Sequence, residues 1–144
     1  MSVQTQNATL LIIASETSEA ERLISALRED GFAAKSVAVP HAERLDEIIA
    51  QRGCDMILCC SYDRNIDLDM VLAAYRKLDG DVPLLLIADP ENAAADLVKA
   101  RRGGARDLLR RNDSEQLKLA VTREFADLLR RRDAHGLIER HQLC

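Results

Sequence analysis

Aromatic residues are scarce in this 144-residue chain: they form 3% of the sequence, and tryptophan is absent. Proteins that bind single-stranded nucleic acid stack bases on aromatic side chains, so this scarcity argues against such a function. No apolar run approaches the roughly 20 residues that a membrane-spanning helix needs. The first eight residues contain no lysine or arginine, whereas a secretory signal peptide begins with a basic region. We therefore predict a domain without a membrane span.

The sequence also lacks the motifs that hold phosphates and metals. Neither GxGxxG nor GxxxxGKS/T is present, and the glycines of RGGAR (102–106) lie between a predicted helix and a predicted strand, the wrong order for a phosphate loop. No CxxC pair is present, and the histidines do not stand at ligand spacing. We expect no cofactor and no metal site.

Three of the four cysteines, Cys54, Cys59 and Cys60, lie in or beside one apolar run. Neighbouring side chains of a strand point to opposite faces, so these cysteines cannot easily form disulfides with one another. Free thiols indicate a reducing, cytoplasmic compartment. Cys60 stands where the strand is predicted to end. It is either a small buried apolar residue or a reactive thiol whose pKa nearby helix N-termini would lower.

Apolar runs of strand length alternate along the chain with stretches of helical periodicity. Strands are predicted over 9–15, 32–39, 54–60, 81–89 and 105–109, and helices over 17–31, 41–53, 67–80, 90–104 and 112–132. Strict alternation predicts an α/β fold, a doubly wound parallel sheet with right-handed crossovers. For a (βα)5 chain of this size the simplest strand order is the flavodoxin-like 2-1-3-4-5.

Three segments follow from this reading of the chain. Residues 1–8 are predicted to be a disordered N-terminus and residues 9–130 a single domain. After LLRRR the chain keeps apolar residues but has no further strand to cover. Residues 131–144 are therefore predicted to be a linker helix that leads toward another domain.

Several phrases of the sequence resemble the receiver (CheY-like) domain of two-component response regulators, over about residues 9–130. LLIIASETSEAERLISALREDGF resembles the first strand, first helix and following turn of that family. CDMILCC resembles the strand that carries the phosphoacceptor. DVPLLLIAD resembles the fourth strand with its early proline, and GARDLLRR resembles the phrase before and within the last strand. The match is spread over the chain and contains no single diagnostic motif.

The resemblance implies a phosphorylation site whose chemistry this sequence has lost. The acidic pair that binds Mg²⁺ in the family corresponds to Ala14 and Ser15, and the phosphoacceptor aspartate corresponds to Cys60. The hydroxyl residue of the fourth strand corresponds to Ala88, and the lysine after the fifth strand corresponds to Arg111. Mg²⁺ needs oxygen ligands, and an aspartyl phosphate needs a carboxylate. The resemblance thus implies a degenerate receiver, a pseudo-receiver, that is not an enzyme.

An interaction surface is the function that such a module would retain. In the family, the fourth helix, fifth strand and fifth helix commonly bind partners or form dimers. Here residues 97–144 hold 12 Lys/Arg against 7 Asp/Glu, although the whole chain carries a net charge of −4. A basic surface favours an acidic protein partner, or a second copy in a homodimer through the last helix. The candidate residues are Arg101, Arg102, Arg106, Arg110 and Arg123.

The predicted linker helix suggests a larger protein. A degenerate receiver of this kind resembles the N-terminal module of cyclic-di-GMP signalling proteins such as FimX, in which PAS, GGDEF and EAL domains follow. Two alternatives stay open: the receiver of a DNA-binding response regulator with a helix-turn-helix output domain, and a thiol-based redox sensor centred on Cys60.

Overall fold

A computed structural model describes residues 8–40, 45–78 and 81–143, with side chains at all of these positions except 46, 52 and 134–143. The strands are β1 (Ala8–Ile13), β2 (Ala34–Val39), β3 (Met56–Cys60), β4 (Leu84–Ala88) and β5 (Asp107–Arg110). The helices are α1 (Thr17–Glu29), α2 (Leu45–Arg52), α3 (Leu68–Arg76), α4 (Ala93–Gly103) and α5 (Ser114–Leu143). The strands form one parallel sheet in the order β2-β1-β3-β4-β5, which confirms the predicted topology.

The core lies on both faces of the sheet because its central strands are apolar throughout. Every residue of β3 and of β4 is buried. Alternate side chains of a strand enter opposite layers. Leu58 and Cys60 of β3 therefore pack in the layer beneath α1 and α5, whereas Ile57 and Cys59 pack in the layer beneath α2, α3 and α4. The two cysteines at the end of β3 thus belong to different halves of the core.

The boundaries of several elements differ from those predicted. Ala8 opens β1 and is fully buried, so it does not belong to a disordered N-terminus; the rest of that predicted segment lies outside the described residues. β5 begins at Asp107 rather than at 105. Just before it, the Arg106 backbone N–H donates to the Leu84 carbonyl of β4 at 2.8 Å. Asp113 caps α5 by accepting a hydrogen bond from the Gln116 amide at 3.0 Å.

The last helix is longer than its apolar pattern predicts. α5 has 30 residues and continues through Leu143, across the glycine at position 136. The predicted linker segment is thus helical over 131–143, as an extension of α5 rather than a separate element. Among the described residues, no helix combines the length and the apolar content that a bilayer crossing requires.

Candidate functional site

Five positions singled out in the sequence meet at the carboxyl edge of the sheet. Ala14 and Ser15 follow β1, Cys60 and Ala88 end β3 and β4, and Arg111 follows β5. Ala14, Cys60 and Ala88 are buried and offer no charged group. In parallel sheets this edge is where ligands bind. The fold therefore brings the predicted residues together at this edge, and the buried side chains among them are apolar.

The surroundings of the Cys60 thiol disfavour its ionised, reactive form. Its side chain is fully buried at the end of β3, and burial raises the pKa of the thiol to about 11. Burial likewise raises the pKa of the Cys59 thiol on the opposite face of the sheet. The reactive form of cysteine is the thiolate, and the redox-sensor alternative needs a lowered pKa at Cys60. The burial of Cys60 and the raised pKa of its thiol therefore do not favour that alternative.

Tyr62, which the sequence reading did not single out, closes the site above Cys60. Its ring packs against the core cluster that contains Cys60, and its hydroxyl donates a short hydrogen bond to the Glu19 carboxylate of α1. The guanidinium carbon of Arg111 lies 4.0 Å from the ring centroid, a cation–π arrangement. Burial, followed by the hydrogen bond to Glu19, raises the pKa of Tyr62. The phenol is therefore neutral and serves as a donor.

Asp63 folds back onto the loop after β1. Its Oδ2 accepts hydrogen bonds from the Ser15 amide at 2.8 Å and from the Ser15 hydroxyl at 2.7 Å. Its Oδ1 accepts a hydrogen bond from the Asn65 amide at 3.0 Å. Burial alone would raise the pKa of Asp63, but these hydrogen bonds outweigh it and the pKa is lowered. Asp63 is thus ionised, and both of its carboxylate oxygens accept hydrogen bonds from protein donors.

The Arg111 guanidinium contacts both the Tyr62 ring and Asp89. Its Nη1 lies 3.3 Å from Asp89 Oδ1, at the start of the loop after β4. Its Nε is buried without a hydrogen-bond partner in the described part of the chain. Arginine is planar and stacks on aromatic rings, which lysine cannot do in the same way. This residue therefore ties the β4–α4 loop to Tyr62.

No cluster of three His, Cys, Asp or Glu side chains suited to a metal ion occurs among the side chains that the structure describes. At this edge Ala14 offers no side-chain oxygen, and Asp63 Oδ2 accepts hydrogen bonds from the amide and the hydroxyl of Ser15.

The candidate arginines of the interaction face fall into two groups. Most are paired within the chain: Arg106 with Glu124 and Asp127 at 3.3 Å each, Arg110 with Asp113 at 3.4 Å, and Arg123 with Asp107 at 3.4 Å. Arg101 and Arg102 on α4 are exposed and form no ion pair with any described residue. The basic excess of this region is therefore concentrated on α4.

Exposed apolar side chains accompany the two unpaired arginines, which the sequence reading missed. Leu97 and Val98 of α4 are 37% and 51% exposed. Leu97 stands four residues before Arg101, and Val98 stands four residues before Arg102. Residues four apart lie on the same side of a helix, so each apolar side chain neighbours one arginine. We call Leu97, Val98, Arg101 and Arg102 the α4 patch. On α5, Leu119 is 70% exposed.

Removing the ring of Tyr62 tests whether it shields Cys60. In Tyr62→Ala we expect Cys60 to react with iodoacetamide about tenfold faster than in the wild type, because the local cover over the thiol is lost. Tandem mass spectrometry of the peptide that contains both cysteines measures the rate at each one. Tyr75→Ala is the matched control, since Tyr75 packs in the opposite core layer with Cys59. Equal Cys60 rates in Tyr62→Ala and the wild type would refute the shielding.

No protein-family model matches the sequence, and no curated protein matches it. Solved structures do. NtrX from Brucella abortus with bound ADP superposes with a TM-score of 0.73 at 19% identity, over 92% of this chain and 30% of that chain. The receiver domain of AraT, a response regulator from Geobacillus stearothermophilus, gives 0.70 at 16% identity, over 87% and 98%.

The signal receiver domain of an HD domain-containing protein from Pseudomonas fluorescens gives a TM-score of 0.68 at 16% identity, over 85% of this chain and 98% of that chain. The chain thus spans about 30% of the NtrX chains it matches but nearly all of the isolated receiver domains. Identities at this level establish architecture. The chain has the fold of the response-regulator receiver domains.

Proposed function

We propose that this chain is a receiver-like signalling module that acts through protein–protein interaction and without phosphorylation. One observation carries the proposal: the acceptor position holds Cys60, a buried, neutral thiol, and the Tyr62 side chain packs against the core cluster that contains it. A thiol cannot form an aspartyl phosphate. The surrounding positions, Ala14 and Ala88, also lack the groups that would bind Mg²⁺ or a phosphoryl oxygen.

Asp63 does not offer a substitute acceptor in this proposal. A nucleophilic carboxylate needs a free oxygen and a nearby ion or cation to receive the phosphoryl charge. Both oxygens of Asp63 accept hydrogen bonds from backbone or side-chain donors. Arg111, the cation that follows β5, is engaged by Asp89 and by the ring of Tyr62.

Interaction through the α4 patch is the retained activity that we infer. Its two arginines form no ion pair with any described residue, so their charge is available to a partner, whereas Arg106, Arg110 and Arg123 each pair with an acidic side chain of this chain. Leu97 and Val98 add apolar area beside that charge. Complementarity favours an acidic protein surface with apolar side chains.

We further infer that the module regulates a larger signalling protein of the cyclic-di-GMP type, with α5 running on toward the next domain. Self-association through α5 is the second candidate activity, favoured by the exposed Leu119. If α5 forms a dimer seam, Leu119→Glu should convert a dimer to a monomer in sedimentation equilibrium. The same mass for both proteins would reject this mode of self-association.

Phosphoryl donors test the proposal directly. After incubation with acetyl phosphate and Mg²⁺, we expect no mass gain in the intact protein, because the acceptor position is a thiol and both oxygens of Asp63 already accept hydrogen bonds. Addition of beryllofluoride should leave amide chemical shifts at the carboxyl edge unchanged. A gain of one phosphoryl group would overturn the proposal. The variant Asp63→Asn then identifies the acceptor, since only transfer to Asp63 would be abolished by it.

A further inference from the structure

Helix α4, which carries the α4 patch, is only thinly anchored to the core. Of its residues, Ala100 and Gly103 alone are buried, and both lie in its second half. Its N-cap residue, Asn92, makes no side-chain hydrogen bond to the helix. Helices in globular proteins are held mainly by apolar packing, and a missing cap weakens the first turn further. The first half of α4 must therefore be held by something else.

Two polar contacts from neighbouring loops bracket the start of α4. Before the helix, Arg111 Nη1 lies 3.3 Å from Asp89 Oδ1. Within its first turn, Asp96 Oδ2 lies 3.0 Å from the Ser61 hydroxyl. Ser61 directly follows Cys60, so this second contact links α4 to the residue next to the former acceptor position.

Ser61 is itself fixed to the sheet. Its backbone amide donates to the Ile87 carbonyl of β4 at 2.9 Å, and its hydroxyl lies 3.0 Å from both that carbonyl and Asp96. A serine hydroxyl has one proton to donate, and a carboxylate is the stronger acceptor. The hydroxyl therefore serves to hold Asp96 at a defined place on the carboxyl edge.

We propose that Ser61 is a positioning residue that sets the placement of α4, and with it the geometry of the α4 patch. This inference rests on the proposed function, because it takes the α4 patch as the surface that a partner binds. Ser61 and Arg111 fasten the two ends of the same short segment, residues 89–96. In this module the residues around the silent acceptor position hold the docking helix in one place.

Hydrogen–deuterium exchange of the full 144-residue chain tests the proposal. In Ser61→Ala we expect the amides of residues 96–100 to exchange about tenfold faster, since the loss of a hydrogen bond to a charged group is worth about that ratio. Amides of β1 and α1 should keep their wild-type rates. Ser61→Thr, which keeps the hydroxyl, should restore protection, and Asp96→Ala should reproduce the local effect of Ser61→Ala.

The matched control is Asp69→Asn. Asp69 also pairs with α4, at 3.4 Å from Lys99, but on the exposed surface. Exposed pairs contribute little, so exchange in α4 should change by less than about twofold. Unchanged exchange in Ser61→Ala, or a uniform increase that includes β1 and α1, would overturn the positioning role. These rates are measured without partner or phosphoryl donor. Exchange rates that contradict the positioning role of Ser61 would leave the proposed function intact. Phosphoryl transfer would reject the proposed function and would not change these exchange rates.

Discussion

Replacing Cys60 by aspartate is expected to lower the free energy of unfolding by about 3 kcal/mol without creating a phosphoacceptor. The side chain is fully buried, and Tyr62 covers it. A new carboxylate there would lie near the carboxylates of Glu19 and Asp63, both of which raise the pKa of the present thiol. An ionised group in this place is costly, and its neutral form is a poor nucleophile. Equilibrium urea denaturation measures the loss.

The loss of unfolding free energy in Cys60→Asp should be larger at high pH than at low pH. Burial would raise the pKa of the introduced carboxyl in the folded state above its unfolded value of about 3.9. A raised pKa means that the folded state binds the proton more tightly, so the destabilisation relative to the wild type is largest above the folded pKa. It should shrink by about 1–2 kcal/mol between about pH 7 and about pH 5.

Cys60→Ala is the matched control, because it introduces a small cavity without a charge and costs about 1 kcal/mol at either pH. Acetyl phosphate with Mg²⁺ should give no mass gain in Cys60→Asp, since Ala14, Ser15 and Ala88 still lack the other groups. A stable, readily phosphorylated Cys60→Asp would show that the site is only one residue short of function, which would contradict the closed geometry around Tyr62.

The sheet was predictable from the sequence because the apolar pattern that specifies each strand is local and recurs along the chain. Continuous apolar runs such as residues 10–14 and 84–88 are typical of strands covered on both faces, and alternation with helical stretches then favours a parallel order. The placement of Cys60 and Ala88 at strand ends followed from the same register. Positions within a strand are dictated by the period of two.

The closure of the site was not predictable in this way. Tyr62 and Asp63 lie in a loop, where no period tells which way a side chain points. Asp63 stands three residues beyond the end of β3, yet the turn after Cys60 carries it back to Ser15. The pairing of Arg106 with Asp127, across elements, is likewise invisible to a count of charges, which therefore overstated the basic surface.

The placement of α4 depends on the close packing of Gly103 against Leu72 of α3. A second substitution, Gly103→Val, would abolish this packing. A Cβ atom at Gly103 would lie 2.7 Å from Leu72 Cδ2 and 3.1 Å from Leu72 Cβ, inside contact distance. Valine adds two further methyl groups where α4 packs on α3. We expect a loss of about 2–3 kcal/mol in unfolding free energy, measured by urea denaturation. The shift of α4 should also raise exchange throughout the helix.

Arg102→Val separates the clash from helix propensity. Position 102 is exposed, so valine there meets no core atom and should cost about 0.5 kcal/mol or less. Trimming the obstructing side chain gives the sharper comparison: in the double variant Gly103→Val/Leu72→Ala the two losses should fall short of additivity by about 1 kcal/mol or more. Additive losses would mean that Leu72 does not limit the approach of α4 to α3.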